Sequence, residues 1–539
     1  MRYIASISAL LLSTLAGPAC AQSSSPVPAG EPMPDCHANV GYDRNQELPG
    51  YRVPDSKGGT VCVPFLPSLY RAPDGFDAGF HVDEFTDARL KARWAACKAD
   101  AACLARLKPQ LDRWVPPNKA RSTRVTGTVD PMGRIDPEGD VDLHQIRRPA
   151  FFAREPYHEA IAGADPRTWI VEFTAPHDAF ERLHLNMTGT IKLRGWYIEG
   201  AGVDDGTGGR TRALIVTSAG GGNQITAIQN LSDAPYTIDP TTQRIAENRF
   251  PNATTEGFGM ARWRQILYRL NQAGFDVLAY DRRGEGLSGG FSDTNTLEQS
   301  ADIFRALEQL RTGDGLRLHS PNGEVLAGEA AAGRLPGQQP VRNIPLLLAG
   351  YSRGSMTTGW AMQRNFVGAC TYDLPEVNCA PPLGWTNIKG ALMISSFGSG
   401  AGYVPDSPDL RDRDLFLGGM AAENNILFYP NSAVLAGMNH WPAAFFGKGL
   451  WDRAESLEGT IAAYRRIAGL KEIFVARGPH SIDTWTPSML DRLADRMVAF
   501  GQAAIQGRSD VPGAAHWTTM RDLVASSPDD WEPSSRPAE

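Results

Sequence analysis

The stretch Leu346–Gly359, LLLAGYSRGSMTTG, decides how the rest of the chain is read. Four apolar residues lead to a serine with glycines two positions before and two after it, and then to small residues that a helix tolerates. That pattern reads as strand, sharp turn, helix, with Gly350 and Gly354 relieving the crowding where the two elements meet. Ser352 would sit at the tip of the turn, the exposed position that a nucleophilic hydroxyl needs. A lone G-x-S-x-G match is a weak signal in a chain with 55 glycines, so the flanking sequence has to decide.

Upstream, TWIVEFTAP (168–176) and GTIKLRGWYIEG (189–200) alternate like early antiparallel strands, and RALIVTSAGGG (212–222) is a buried-strand run ending in glycines. MARWRQILYRLNQAG (260–274) is an amphipathic helix stopped by glycine. The strand FDVLAYD (275–281) and the helix TLEQSADIFRALEQLR (296–311) follow before the serine-bearing strand. Downstream come a helix (355–366), strand NIKGALMISSF (387–397), strand PAAFFGKGLWD (442–452), helix AESLEGTIAAYRRIAG (454–469), strand KEIFVARG (471–478) and a closing helix (488–505). Strands alternating with helices imply an α/β fold with a mostly parallel sheet.

In such a sheet, reactive groups collect at the carboxyl ends of the strands. Three candidates fall there, in the order Ser352, Asp452 and His480. This order of nucleophile, acid and histidine resembles that of the α/β-hydrolase family, over about residues 168–507. AYDRRGEGLSGG (279–290) resembles the family's turn after an early sheet strand, SAGGG (218–222) its oxyanion loop, and LWDRAESLEG (450–459) its acid loop. Ser218-Ala219 stands where many members open the oxyanion loop with histidine, which leaves the donor register open between Gly220 and Gly221. The resemblance implies a Ser-His-Asp triad, with the backbone N–H of Arg353 and of the Gly220 or Gly221 loop holding an oxyanion and no cofactor required. Glu455 and Asp483 compete with Asp452 for the acid role, and His440 reads as structural or pocket-lining. Arg282 and Arg283 read as braces for their turn.

Two rival functions are weaker. Gly284-Glu285-Gly286-Leu287-Ser288-Gly289 spells a dinucleotide-binding G-x-G-x-x-G, but Asp281, Arg282 and Arg283 separate it from the strand and FSDTNTLEQ delays the next helix. A non-catalytic binding protein on the same scaffold would not need all three triad residue types. Carboxylic ester hydrolysis is the first reading, with amide or peptide hydrolysis as the alternative on the same scaffold. The substrate is expected to be a small-molecule or polymer ester selected by a cap insertion at about 398–438.

The 539 residues are 42% hydrophobic and 21% charged, enough for one large domain plus an extra module. A net charge of −7 offers no basic footprint for nucleic acid. Residues 1–21 have the pattern of a secretory signal: basic Arg2, an apolar run from Ile4 to Leu15, and Ala19 and Ala21 ahead of Gln22. Cys20 keeps a lipid-anchored alternative open, although Gly17-Pro18-Ala19 lacks the usual leucine three positions back. No later run is long enough to span a membrane, so a secreted or periplasmic protein is expected. Six cysteines then remain, and sequence neighbours would pair as Cys36–Cys62, Cys97–Cys103 and Cys370–Cys379. A metal site is disfavoured, since neither C-x-x-C nor HExxH occurs.

Residues 22–165, rich in Pro, Gly and Asp, form an N-terminal module or wrapping extension ahead of a hydrolase domain at 166–508. Within it, residues 87–114 have helical periodicity, but Cys97 and Cys103 would lie about 240° apart around one helix. Their pairing needs a break near 98–101. DPMGRIDPEGDVD (130–142) is oxygen-rich without EF-hand spacing and reads as a solvated turn. The tail, 509–539, is expected to be loosely held.

Overall fold

A computed structural model describes residues 31–39, 47–65, 167–177, 188–220, 236–238, 245–248, 260–283, 288–289, 296–320, 324–373, 376–395, 437–452, 457–482 and 485–529. Segments 1–30, 87–114, 130–142 and 396–436 lie outside them, and with them the signal sequence, Cys20, Cys97, Cys103 and nearly all of the expected cap.

The centre is a ten-stranded sheet. Its strands are β4 (Thr168–Pro176), β5 (Thr190–Ile198), β6 (Leu214–Ser218), β7 (Asp276–Tyr280), β8 (Arg317–His319), β9 (Val325–Ala327), β10 (Leu346–Tyr351), β11 (Ile388–Ile394), β12 (Ala443–Trp451) and β13 (Leu470–Pro479). Strands β1 (Cys36–Asn39), β2 (Glu47–Pro54) and β3 (Thr60–Pro64) form a separate antiparallel sheet. The order across the large sheet is β9-β8-β4-β5-β7-β6-β10-β11-β12-β13. The six strands from β7 to β13 are parallel, and β9, β8, β4 and β5 extend one edge as antiparallel strands. This is an α/β-hydrolase fold.

Residue alternation along the strands divides the core. Leu214, Val216, Leu278, Leu346 and Leu348 face one layer, which contains the helices α2 (Thr296–Thr312), α3 (Arg353–Phe366) and α4 (Leu457–Arg466). Ile215, Val277, Leu347 and Ala349 face the other, with α1 (Met260–Gln272) and α5 (Pro487–Ile505). Both faces are therefore covered, which is why the central strands are apolar at nearly every position.

One expectation changes. The tail is packed through Asp529: α6 (Met520–Ala525) buries Met520, Leu523 and Val524, and Thr519 and Asp522 close a capping box at its start. The segment between α2 and β10, which shows no clear period, supplies the β8–β9 hairpin and the short helix Glu329–Arg334. The small sheet packs against the core of the large one, since Tyr51, Val53, Val63 and Phe65 join the same apolar cluster as Trp451 and Leu523. Cys36 and Cys62 are bridged, stapling β1 to β3 across β2. Cys370 and Cys379 are directly opposed backbone partners in the hairpin Ala369–Asp373/Glu376–Ala380.

Candidate active site

Strands β7 and β10 flank β6 on opposite sides, so the chain reverses its direction of travel across the sheet between them. A crevice is expected at the carboxyl ends of strands at such a reversal. Ser352 follows β10 there, facing the end of β6, whose Ser218 is the register partner of Gly350. The elbow needs both of its glycines. A Cβ on Gly350 would lie 2.2 Å from the Gly354 carbonyl oxygen, and one on Gly354 would lie 1.9 Å from the Ser218 carbonyl oxygen. Ser352 itself has φ 52° and ψ −118°, a backbone conformation costing a non-glycine residue roughly 1–3 kcal/mol. Ser355 secures the turn, its hydroxyl donating to the carbonyls of Gly350 (2.9 Å) and Ile394 (2.8 Å).

Ser352 Oγ lies 2.8 Å from His480 Nε2, and His480 Nδ1 lies 2.9 Å from Asp452 Oδ1. Asp452, at the end of β12, is fully buried, while the His480 side chain, just past β13, retains 29% exposure. The structure thus brings together three residues spread over 128 positions of sequence. With a neutral imidazole carrying its proton on Nδ1, Nε2 can accept the Ser352 proton and Asp452 can stabilise the resulting imidazolium.

Gly220 follows β6 and lies against Ser352: a Cβ there would be 2.9 Å from the Tyr351 ring and 3.3 Å from Ser352 Cβ. Arg353, the first residue of α3, begins the helix immediately after the serine. Gly221 lies outside the described residues, as do Glu455 and Asp483. His440 is exposed in a 3₁₀ turn before β12, at the opposite end of that strand from Asp452, so it does not line this site. The next described helix after the G-x-G-x-x-G segment is α2, from Thr296. Ser288 and Gly289 instead tie back to β5: Ser288 Oγ accepts from Arg194 N (2.9 Å), and Gly289 N donates to Lys192 O (2.7 Å).

Ser395, Tyr351, Trp263 and Lys448 were not singled out from sequence. Ser395, at φ 45° after β11, donates from its hydroxyl to the His480 carbonyl (2.8 Å), fixing the backbone that carries the imidazole. The Tyr351 ring stacks on His480 at 6.2 Å and on Trp263 at 6.1 Å. Lys448, buried on β12, places Nζ 3.1 Å from Asp452 Oδ2. Arg282 and Arg283 act as braces: Arg282 donates to the Gly220 carbonyl and to Gln299 (3.0 Å), and Arg283 pairs with Asp302 (2.7 Å). The only advance signal for Ser395 and Lys448 was their place at or near the carboxyl end of a strand.

No protein-family model matches the chain, and no curated protein sequence matches it. Solved structures similar to it include the esterase Pf2001 of Pyrococcus furiosus, at 15% identity and a TM-score of 0.29, covering 56% of this chain and 86% of that one. Est1E from Butyrivibrio proteoclasticus, solved with ferulic acid, is 12% identical with a TM-score of 0.31, covering 57% and 94%. Dipeptidyl peptidase 4 of Porphyromonas gingivalis is 14% identical with a TM-score of 0.31, covering 57% and 33%. Likenesses this distant assign no activity; the fold stands on the strand order and the elbow themselves.

Proposed function

We propose that this chain is a secreted serine hydrolase that cleaves carboxylic esters through an acyl-enzyme. The observation that carries the reading is the relay from Ser352 Oγ through His480 to a fully buried Asp452, with both links at hydrogen-bond distance. Ser352 attacks the ester carbonyl while His480 Nε2 takes its proton; His480 then returns that proton to the departing alcohol. Water repeats the sequence to release the acid. Asp452 holds the imidazole tautomer and offsets its charge. The N–H groups of Arg353 and of the loop beginning at Gly220 receive the oxyanion, each donor contributing roughly 3–4 kcal/mol.

An ester asks least of this machinery, because its carbonyl is less resonance-stabilised than an amide's and its alkoxide oxygen is the better leaving group. The Cys36–Cys62 bridge supports passage through an oxidising compartment, with residues 1–21 as the leader. Among the described residues no helix is long and apolar enough to cross a membrane.

The test is stopped-flow mixing of mature protein with an activated ester, followed by panels of esters, lactones and aminoacyl amides. A stoichiometric burst of leaving group and ester turnover at least about a hundredfold above amide turnover are expected. Amides turned over as fast as esters would overturn the ester assignment. Absence of both burst and turnover on every panel would overturn the hydrolase.

A further inference from the structure

The second oxygen of the triad acid has an unusual neighbour. Oδ1 of Asp452 faces His480, whereas Oδ2 lies 3.1 Å from the ammonium of Lys448, four residues back on the same strand. The lysine side chain is 1% exposed and the aspartate 0%. A buried ammonium is costly unless paired, and the same holds for the carboxylate. The two charges therefore offset one another as an ion pair behind the imidazole.

We propose that Lys448 is a positioning residue of the triad: its ammonium clamps Asp452 Oδ2 and thereby keeps Oδ1 on His480 Nδ1. This rests on the serine-hydrolase reading above. A carboxylate held at one oxygen only can rotate about its Cβ–Cγ bond, and held at both it cannot. The backbone supports the clamp from two sides. β12 pairs in parallel with β11 and β13, and Lys448 is the register partner of Val475, so the stem is fixed within the sheet. Asp452 N donates to the Gly449 carbonyl (3.2 Å), folding the acid back over the strand end towards the ammonium.

The clamp also has an electrostatic consequence. The imidazolium of the working cycle sees a negative Asp452 and, behind it, a positive Lys448. Removing the lysine charge leaves the aspartate uncompensated, so the Asp452–His480 pair holds a proton more tightly. Among the described residues the imidazole also meets the uncharged Ser352 hydroxyl and the ring of Tyr351, whose hydroxyl accepts from Ile482 N (3.4 Å). The Ser395 hydroxyl is on the His480 carbonyl, and Arg353 follows the nucleophile on α3. On β13, Arg477 alternates to the same face as Val475, and its guanidinium donates to Ser527 Oγ at 3.1 Å, toward the C-terminal segment.

The experiment is the pH profile of kcat/KM on an activated ester for the wild type, Lys448→Met and Lys448→Gln. The acid limb should move upward by at least about one pH unit in both variants, with KM within about threefold of wild type. Gln, which can still donate to Oδ2, should retain more of the plateau kcat than Met. If Met does not accumulate as folded protein, the Gln variant carries the same readout. A cycle with Asp452→Asn adds a second test: Lys448→Met should cost far less kcat in that background than in the wild type, because the group it positions is gone. An unmoved acid limb, or costs that simply multiply across the cycle, would overturn the proposal and leave Lys448 a structural residue. Loss of wild-type activity with Ser352→Ala, measured alongside, keeps the two readings separate. Activity that survives it would sink the triad itself.

Discussion

Replacing Gly220 with alanine tests the oxyanion loop, and the structure supplies the magnitude. The backbone at 220 has no positive φ, so alanine is not strained there for conformational reasons. Its Cβ, however, would lie 2.9 Å from Tyr351 Cδ1 and Cε1, against the 3.5–4.0 Å of an ordinary carbon contact. The ring cannot easily retreat, because it also packs on Trp263 and His480. The loop must therefore move away by roughly 0.6–1 Å. A donor ~2.9 Å from the oxyanion would end at about 3.6 Å, where it is no longer a hydrogen bond. Loss of one such donor costs about 2.7–4 kcal/mol, or 10²- to 10³-fold in kcat. Steady-state kcat and KM on an activated ester give the answer, with thermal unfolding confirming that the variant is folded. Gly333→Ala, where nothing lies within 4 Å of the new Cβ, is the control and should leave kcat unchanged. A folded Gly220→Ala protein with kcat within about threefold of wild type would refute the placement of the oxyanion site at this loop.

Asp452→Asn should keep the fold but lower kcat by up to about four orders of magnitude, whereas Glu455→Gln and Asp483→Asn should stay within about threefold; the reverse ranking in kcat/KM would reassign the acid. Replacing Cys36 and Cys62 by serine opens a loop of sequence separation 26, worth about 3.5 kcal/mol on the chain-entropy account. Amide exchange over 47–65 should rise in that variant, and peptide mapping of the wild type should find Cys370 joined to Cys379 and Cys97 to Cys103; free thiols at either pair would contradict the pairing. Asp522 is held down to about 2 by hydrogen bonds from the Thr518 hydroxyl and then from the Thr519 N–H. Because the folded value is lowered, this anchor of α6 is at full strength above the ordinary carboxylate range and is lost as pH falls from about 4 toward 2. Exchange protection of residues 520–525 should follow that window in the wild type and become insensitive to it in Asp522→Asn.

The parallel part of the sheet, and the strand ends at which Ser352, Asp452 and His480 meet, were legible in sequence because both rest on strong local signals. Buried strands such as Leu346–Tyr351 and, apart from Lys448, Ala443–Trp451 are apolar, and Ser352 and Asp452 follow them directly. The antiparallel edge at β8 and β9 was not legible, since three-residue strands are too short to show a period. The tail was misjudged from its composition. Its Pro, Ser and acidic residues look loose, yet Leu523 and Val524 reach the core, and Ser56 N donates to Asp529 (2.8 Å) across 473 positions. The supports of the site were hidden for the same reason. Nothing near Ser395 in sequence says that it will hold the His480 backbone, because that contact crosses from the end of one strand to the end of another, and nothing marks Lys448 as the residue that will stand behind Asp452. Even Lys448, only four residues from Asp452, would ordinarily be read as a solvated lysine.

The central claim is that Ser352 is the nucleophile. The direct measurement is fluorophosphonate labelling of the mature protein, followed by peptide mass spectrometry, in the wild type and in Ser352→Ala. The account predicts one adduct per chain, located on Ser352, and none in the alanine variant, whose thermal stability should be close to that of the wild type. Undiminished labelling of Ser352→Ala, or an adduct mapped to another residue, would contradict it.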